Sequence, residues 1–178
     1  MQAHSQTLRD TPAAGRETAS WRTVLAVFKL RIGVIIALTA MAGIAVQPGA
    51  ELAGAEVAAI FVAVLRASAA AGAFNQIYEI ELDRRMRRTR ARPFAAGRLQ
   101  PHRGWPVAIA LLAAVGVAIA WLAANAAAAL FTFLGAFFYA IVYTVWLKRR
   151  TWWNIVIGGL AGSFGVVSPP KNSALQPR

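Results

Sequence analysis

Four long apolar stretches, at 32–46, 57–74, 105–124 and 126–147, hold no charged residue except Arg66. This segregation constrains the fold more than any other feature of the chain. A helix needs about 20 mostly apolar residues to cross the hydrocarbon core of a bilayer, and with their flanking turns the blocks approach that length. Within the bilayer a helix also satisfies its own backbone hydrogen bonds. Residues 21–30 are mixed, with Arg22 and Lys29, and read as the interfacial start of the first helix. Gln47-Pro48-Gly49 ends that helix, because proline fixes the backbone and glycine relaxes it. Only Asn125 marks a turn between the third and fourth blocks. A fifth candidate opens near Asn154 with Ile155-Val156-Ile157-Gly158-Gly159-Leu160-Ala161-Gly162 and dissolves at Ser168-Pro169-Pro170-Lys171-Asn172. The expected fold is therefore all-α, a polytopic transmembrane helix bundle.

The charges test this map. They make up 15% of the residues, against about 25% in a soluble domain. The net charge of +12 could serve nucleic-acid binding, but the basic residues cluster at the ends of apolar blocks, the usual place of cytoplasmic membrane-flanking charge. No nucleic-acid partner is expected. Up to Arg31 there are five basic residues against two acidic ones, and between Asn75 and Gly104 there are eight basic residues. Lys148-Arg149-Arg150 follows the fourth block, whereas the connection between the first two holds only Glu51 and Glu56. Basic and non-basic connections thus alternate as four crossings require. The N-terminus, the 75–104 loop and Lys148–Arg150 are assigned to the cytoplasm, with a flexible polar leader at 1–20. A soluble helical protein would produce both the blocks and the alternation only by coincidence. Met1 is not followed by an early apolar run, so no cleavable signal peptide is expected. The six tryptophans lie close to predicted helix ends, and the absence of cysteine excludes a disulfide framework, a thiolate metal site and a cysteine nucleophile.

The chemistry-bearing stretch is Asn75-Gln76-Ile77-Tyr78-Glu79-Ile80-Glu81-Leu82-Asp83. If the second helix continues past Phe74, Asn75, Glu79 and Asp83 recur at i, i+4 and i+8 and line one face. Two carboxylates and an amide supply hard oxygen ligands, which suit Mg²⁺ held partly through substrate phosphates. Arg84, Arg85, Arg87, Arg88, Arg90 and Arg92 follow, and guanidinium forks match phosphate oxygens. A phosphorylated, lipid-tailed substrate at the membrane surface fits both groups. A plain positive-inside anchor touching lipid headgroups accounts for the arginines equally well. Glu81 falls on a different helical face and is expected to be solvated or paired with an arginine. Arg66, nine residues before Asn75, points to nearly the opposite face, and a structural partner within the bundle is expected for it. His4 and His102 read as leader and loop surface, and Ser68 and Gly72 as helix-packing positions.

These residues resemble the first characteristic region of the membrane-embedded, UbiA-type prenyltransferase superfamily. Within it they are most similar to the protohaem IX farnesyltransferase family, whose members form haem O. That family's pattern is Asn-x3-Asp-x3-Asp followed by Met, Arg-Thr and Arg-Pro. Here it is matched by Asn75, Glu79, Asp83, Met86, Arg88-Thr89 and Arg92-Pro93, and closed by Gly97-Arg98. A second stretch is similar too: Tyr143-Thr144, Leu147-Lys148-Arg149, Thr151 and Asn154 through Gly162. Lys29 and Arg31 match a Lys-Pro-Arg before the first helix, with Leu30 in place of proline.

The resemblance implies farnesyl transfer from farnesyl diphosphate to a vinyl group of protohaem IX in the bacterial inner membrane, with a functional link to haem A synthase and terminal oxidase assembly. It implies Asn75, Glu79 and Asp83 as catalytic and Mg²⁺-binding residues. It implies Arg88, Arg92, Lys148 and Arg149 as diphosphate-binding residues, with Asn154 as orienting support. Two departures stand out. Glu79 replaces the commoner aspartate, extending the carboxylate by one methylene. The family is a nine-helix bundle with a second aspartate-rich region, whereas this chain carries about four to five helices, with 21–162 family-like and 163–178 a polar tail. A truncated chain, inactive alone, is the expectation. Another aromatic or quinone prenyltransferase and a non-catalytic membrane fragment are the alternatives.

Overall fold

The computed structural model describes residues 20–46 and 52–147. Two helices make the first unit, α1 (Trp21–Val27) and α2 (Leu30–Ala45), and α3 (Gly54–Tyr78) is the longest. The short α4 (Ile80–Arg85), then α5 (Gly104–Ala123) and α6 (Ala126–Phe137), complete the α-helices. From Phe138 to Leu147 the last helix continues as a π-helix. The fifth apolar block, with Lys148, Arg149 and Asn154, lies outside the described residues.

Local chemistry sets several boundaries. Glu56 reaches back to the Ala53 backbone N–H at 3.1 Å and satisfies one of the orphan donors at the start of α3. Asn125, expected as a turn, caps α6 by accepting from the Ala128 N–H at 2.8 Å. The first apolar unit departs from the simple expectation of one continuous helix. It is bent by 49° between α1 and α2, and Lys29 at the bend has φ 47° and ψ 42°. It is the sole described non-glycine residue with positive φ, a left-handed conformation that L side chains enter at a cost.

Gly54–Tyr78, Gly104–Ala123 and Ala126–Leu147 are each long and apolar enough to cross a membrane, and the bent α1–α2 pair makes up to four such spans. With its 25 residues, α3 rises about 37 Å, more than the roughly 30 Å hydrocarbon core. The chain is a multi-pass membrane protein with an all-α bundle. Helix α3 is its centre, packed against α2, α5, α6 and the π segment. Beside Ile60, Val64, Asn75 and Gln76, most of its buried residues are small: Ala63, Ala67, Ala69, Ala70, Ala71, Gly72 and Ala73. In lipid, where apolar burial does not drive helices together, such residues let backbones approach closely and gain dispersion contacts. Gly116 of α5 shows how close: a Cβ there would lie 2.9 Å from the Ala63 carbonyl oxygen. The outward faces carry Ile35, Leu38, Leu111, Leu122 and Leu130, all exposed, as a surface facing hydrocarbon demands.

Arg66 departs from expectation. Its side chain is exposed, and it makes no ion pair with any described residue.

Candidate functional site

The polar stretch does not extend α3 as a straight rod. The helix stops at Tyr78, Glu79 takes φ −103° and ψ 15°, and α4 resumes at Ile80. The break is shallow enough to keep the one-face arrangement. Asn75, Glu79 and Asp83 are all essentially inaccessible, at 2%, 0% and 2% exposure. Burying two carboxylates in a membrane bundle is costly unless positive charge and hydrogen bonds compensate them, and the surrounding elements supply both.

Asn75 is the hub. Its Oδ1 accepts from Lys29 Nζ at 2.7 Å. Its Nδ2 donates to Glu79 Oε2 at 3.0 Å and to Thr144 Oγ1 at 3.3 Å. The amide can point only this way, since an ammonium only donates and a carboxylate only accepts. Thr144, fully buried, donates in turn to the Tyr139 carbonyl five residues back, at 2.8 Å. The π segment thus supplies the acceptor on Asn75, in keeping with the frequent placement of π geometry at functional positions. Tyr139 and Tyr143 stack with centroids 5.5 Å apart.

The Lys29 bend is clasped from the same turn of α3. Gln76 Nε2 donates to the carbonyls of Ala26 and Val27, at 3.0 and 2.8 Å, and so satisfies acceptors left open where α1 ends. The left-handed residue that breaks the first helix is thereby the residue that aims an ammonium at Asn75.

Asp83 is compensated from the loop after α4. Arg92 Nη1 contacts both of its oxygens, at 2.9 and 2.7 Å. The loop is held by its own plug: Phe94 is buried at 1% and meets Trp105 edge-on at 5.2 Å, in a cluster with Val27, Ala70, Ala73 and Leu99. Thr89 Oγ1 donates to the Asp83 carbonyl at 3.2 Å, and Gly97 turns the chain at φ +73°, a value glycine adopts without strain.

Of the residues singled out from sequence, the structure brings together Asn75, Glu79, Asp83 and Arg92. Arg88 is exposed and makes no hydrogen bond or ion pair with a described residue, so its chemistry faces outward. Glu81 pairs with Arg84 at 2.7 Å on the exposed side, as expected. His102 is loop surface, with Nδ1 accepting from the Gly104 N–H. Lys29, Gln76 and Thr144 were missed as site residues. Lys29 and Thr144 fell within family-like motifs of the sequence, but nothing there pointed to their contacts with Asn75.

Among the described residues no group of three His, Cys, Asp or Glu side chains is placed to hold a metal ion. The oxygens present are two carboxylates and one amide, a set that suits Mg²⁺ when phosphate oxygens and water complete the shell. Two of these groups already carry a cationic side chain, Lys29 on Asn75 and Arg92 on Asp83. The donor chemistry therefore fits a cation shared with a phosphate, and does not make a cage of protein ligands alone.

An apolar groove of about 540 Å³ runs along α3, α5 and the last helix. Ala70, Phe74, Ala113, Trp121, Phe137 and Ile141 are among its walls. Ala70, Ala71 and Phe74 bring the groove along the turn of α3 that precedes Asn75, while the side chains of the polar cluster are not among its walls.

The sequence model of the UbiA prenyltransferase family matches residues 36–168. "Protoheme IX farnesyltransferase 2" of Paramagnetospirillum magneticum is 56% identical over 151 residues, covering 85% of this chain and 52% of that protein. "Protoheme IX farnesyltransferase 1" of the same organism is 43% identical, over 84% of this chain and 52% of its own length. The "Protoheme IX farnesyltransferase" of Gluconacetobacter diazotrophicus is 40% identical, over 87% and 48%. The chain spans about half the length of the curated relatives it matches. No solved structure matches it.

Proposed function

The chain belongs to the UbiA prenyltransferase family, and from that premise we propose that it serves the transfer of a farnesyl group from farnesyl diphosphate to a vinyl group of protohaem IX, giving haem O. One observation carries this reading. Two buried carboxylates, an amide and two cationic side chains converge where α3 ends, and the preceding turns of the same helix line an apolar groove, in a chain whose curated relatives bear that activity in their names.

Such a site suits a molecule that is charged at one end and hydrocarbon over the rest. Asn75, Glu79 and Asp83 would hold Mg²⁺ jointly with the diphosphate, and the ion would supply charge neutralisation for the departing diphosphate. Arg92 and Lys29 would bind phosphate oxygens, with Lys148 and Arg149 adding charge and Asn154 orienting support; Arg88, which faces outward, would act only at longer range. Alanines and aromatic rings would exclude water beside the allylic carbon, so that a developing carbocation meets the vinyl carbon before solvent. One water would then add to the carbon left cationic on the haem side and lose a proton, completing the hydroxyethyl group.

The alternation of basic and non-basic connections supports an inner-membrane protein with its N-terminus and the 75–104 loop in the cytoplasm. Haem O made there would pass to haem A synthase for terminal oxidase assembly.

The test uses membranes from cells expressing the chain alone, or fused to the part of the 56% identical relative that lies beyond the matched span. Farnesyl diphosphate is supplied with protohaem or with 4-hydroxybenzoate, and products are separated by chromatography. Haem O from the fusion, lost on Asn75→Ala or Asp83→Ala, is expected. A prenylated hydroxybenzoate with no haem O would overturn the acceptor assignment.

A further inference from the structure

We propose that Lys29 and Arg92 are resident counter-cations of this site: without substrate they occupy the oxygens that would bind a divalent ion, and that ion enters only with a diphosphate that draws both side chains away. The inference rests on reading the site as one for a diphosphate and a divalent ion.

The charged side chains of the cluster carry it. Glu79 and Asp83 are buried carboxylates, and among the described residues Lys29 and Arg92 are cations that reach this hydrogen-bonded cluster. A divalent ion approaching these oxygens must displace Lys29 from Asn75 Oδ1 or Arg92 from Asp83. A diphosphate changes the balance, because its oxygens offer both cations stronger acceptors than an amide or a shared carboxylate. As they swing to the phosphate, Asn75 Oδ1 and the Asp83 oxygens become available. Lys29 is built for such a move. It sits in a left-handed conformation at a 49° bend, its stem lies along Gly72 with no side chain in the way, and Gln76 holds the end of α1 independently of it. Non-glycine residues persist in that conformation only where their surroundings over-determine it, typically at clamps and switches. Arg92 is tethered likewise on a loop pinned by Phe94, so its guanidinium can shift without the loop unfolding.

If this holds, ion and diphosphate affinities are coupled, and the coupling is reciprocal. Purified full chain in lipid nanodiscs is titrated with Mn²⁺, with and without inorganic pyrophosphate. Bound Mn²⁺ is read by electron paramagnetic resonance at buffered free Mn²⁺. Wild type should bind Mn²⁺ at least tenfold more tightly with pyrophosphate. Lys29→Gln should bind Mn²⁺ alone about fivefold or more tightly than wild type and show reduced coupling. Lys29→Gly, which accepts the left-handed backbone freely, should do the same; circular dichroism and monodispersity confirm that each variant is folded. If both variants keep wild-type affinity and coupling while Asp83→Asn loses Mn²⁺, the counter-cation role is wrong and the metal–diphosphate site stands. Weaker Mn²⁺ binding in both Lys29 variants equally overturns the role. Absence of Mn²⁺ binding to every protein, even with pyrophosphate, overturns the site itself.

Discussion

A single guanidinium nitrogen of Arg92 spans the Asp83 carboxylate, 2.9 Å from Oδ1 and 2.7 Å from Oδ2. The Asp83 side chain is 3% exposed and that of Arg92 26%, so the pair belongs with buried ion pairs rather than with surface ones. Removing one partner of such a pair strands the other charge, typically at about 3–5 kcal/mol. Because Arg92 keeps some contact with water, Arg92→Gln is expected at the low end, about 3 kcal/mol less stable. Adding Asp83→Asn to Arg92→Gln should recover most of that loss, since the stranded charge is gone. Unfolding curves of the two single variants and the double variant in detergent, followed by circular dichroism, give the coupling directly.

Two glycines face the same central helix with different consequences. A Cβ at Gly116 would meet the Ala63 carbonyl oxygen at 2.9 Å and the Ala67 nitrogen at 3.2 Å, both backbone atoms that cannot step aside. At Gly33 the nearest atom is Leu65 Cδ1, also at 2.9 Å, the end of a side chain that can rotate. Gly116→Ala should therefore push α5 off α3 and cost about 1–3 kcal/mol. Gly33→Ala should cost less than about 1 kcal/mol. Equal losses in thermal melts of the two variants would show that α5 can slide along α3.

The spans were legible because each block is apolar on all sides, and their ends were legible where a residue type acts locally, as Asn125 does at α6. The i, i+4, i+8 spacing of Asn75, Glu79 and Asp83 likewise foretold one shared face, and it survives the break at Glu79. What the sequence concealed are features produced by long-range contacts. Lys29 meets Asn75 across 46 positions and Thr144 meets it across 69; neither separation leaves a periodic trace. The left-handed backbone at Lys29 is equally silent, since the sequence offers there no glycine or asparagine to announce it. Arg88 and Arg92 look alike in the arginine run. Only the Phe94 plug, by fixing the loop, turns Arg92 inward and leaves Arg88 outside.

The charge alternation predicts a topology that can be checked in the cysteine-free chain. Cysteine introduced at exposed Arg88 is expected to react with an impermeant maleimide only in inverted vesicles. Cysteine at Ala53, at the start of α3, should react only in right-side-out vesicles, because α3 separates the two positions. The reverse pattern would place the Asn75 cluster at the opposite face and exclude a cytoplasmic diphosphate as its ligand.

Thr144 is the remaining fixed point of Asn75. Its hydroxyl accepts from Asn75 Nδ2 and donates to the Tyr139 carbonyl, tying the π segment to α3 through one oxygen. Thr144→Val keeps the shape and removes both bonds, whereas Thr144→Ser keeps both bonds and removes a methyl group. Polar contacts between membrane helices average about 0.6 kcal/mol, and a buried donor left unmet adds to that. Thr144→Val is thus expected to lose about 1–2 kcal/mol, and Thr144→Ser under about 0.5 kcal/mol. Reversible unfolding in mixed micelles measures both. A valine variant as stable as wild type would mean that Lys29 and Glu79 alone orient Asn75. The π geometry of the last helix would then have to answer to packing rather than to the site.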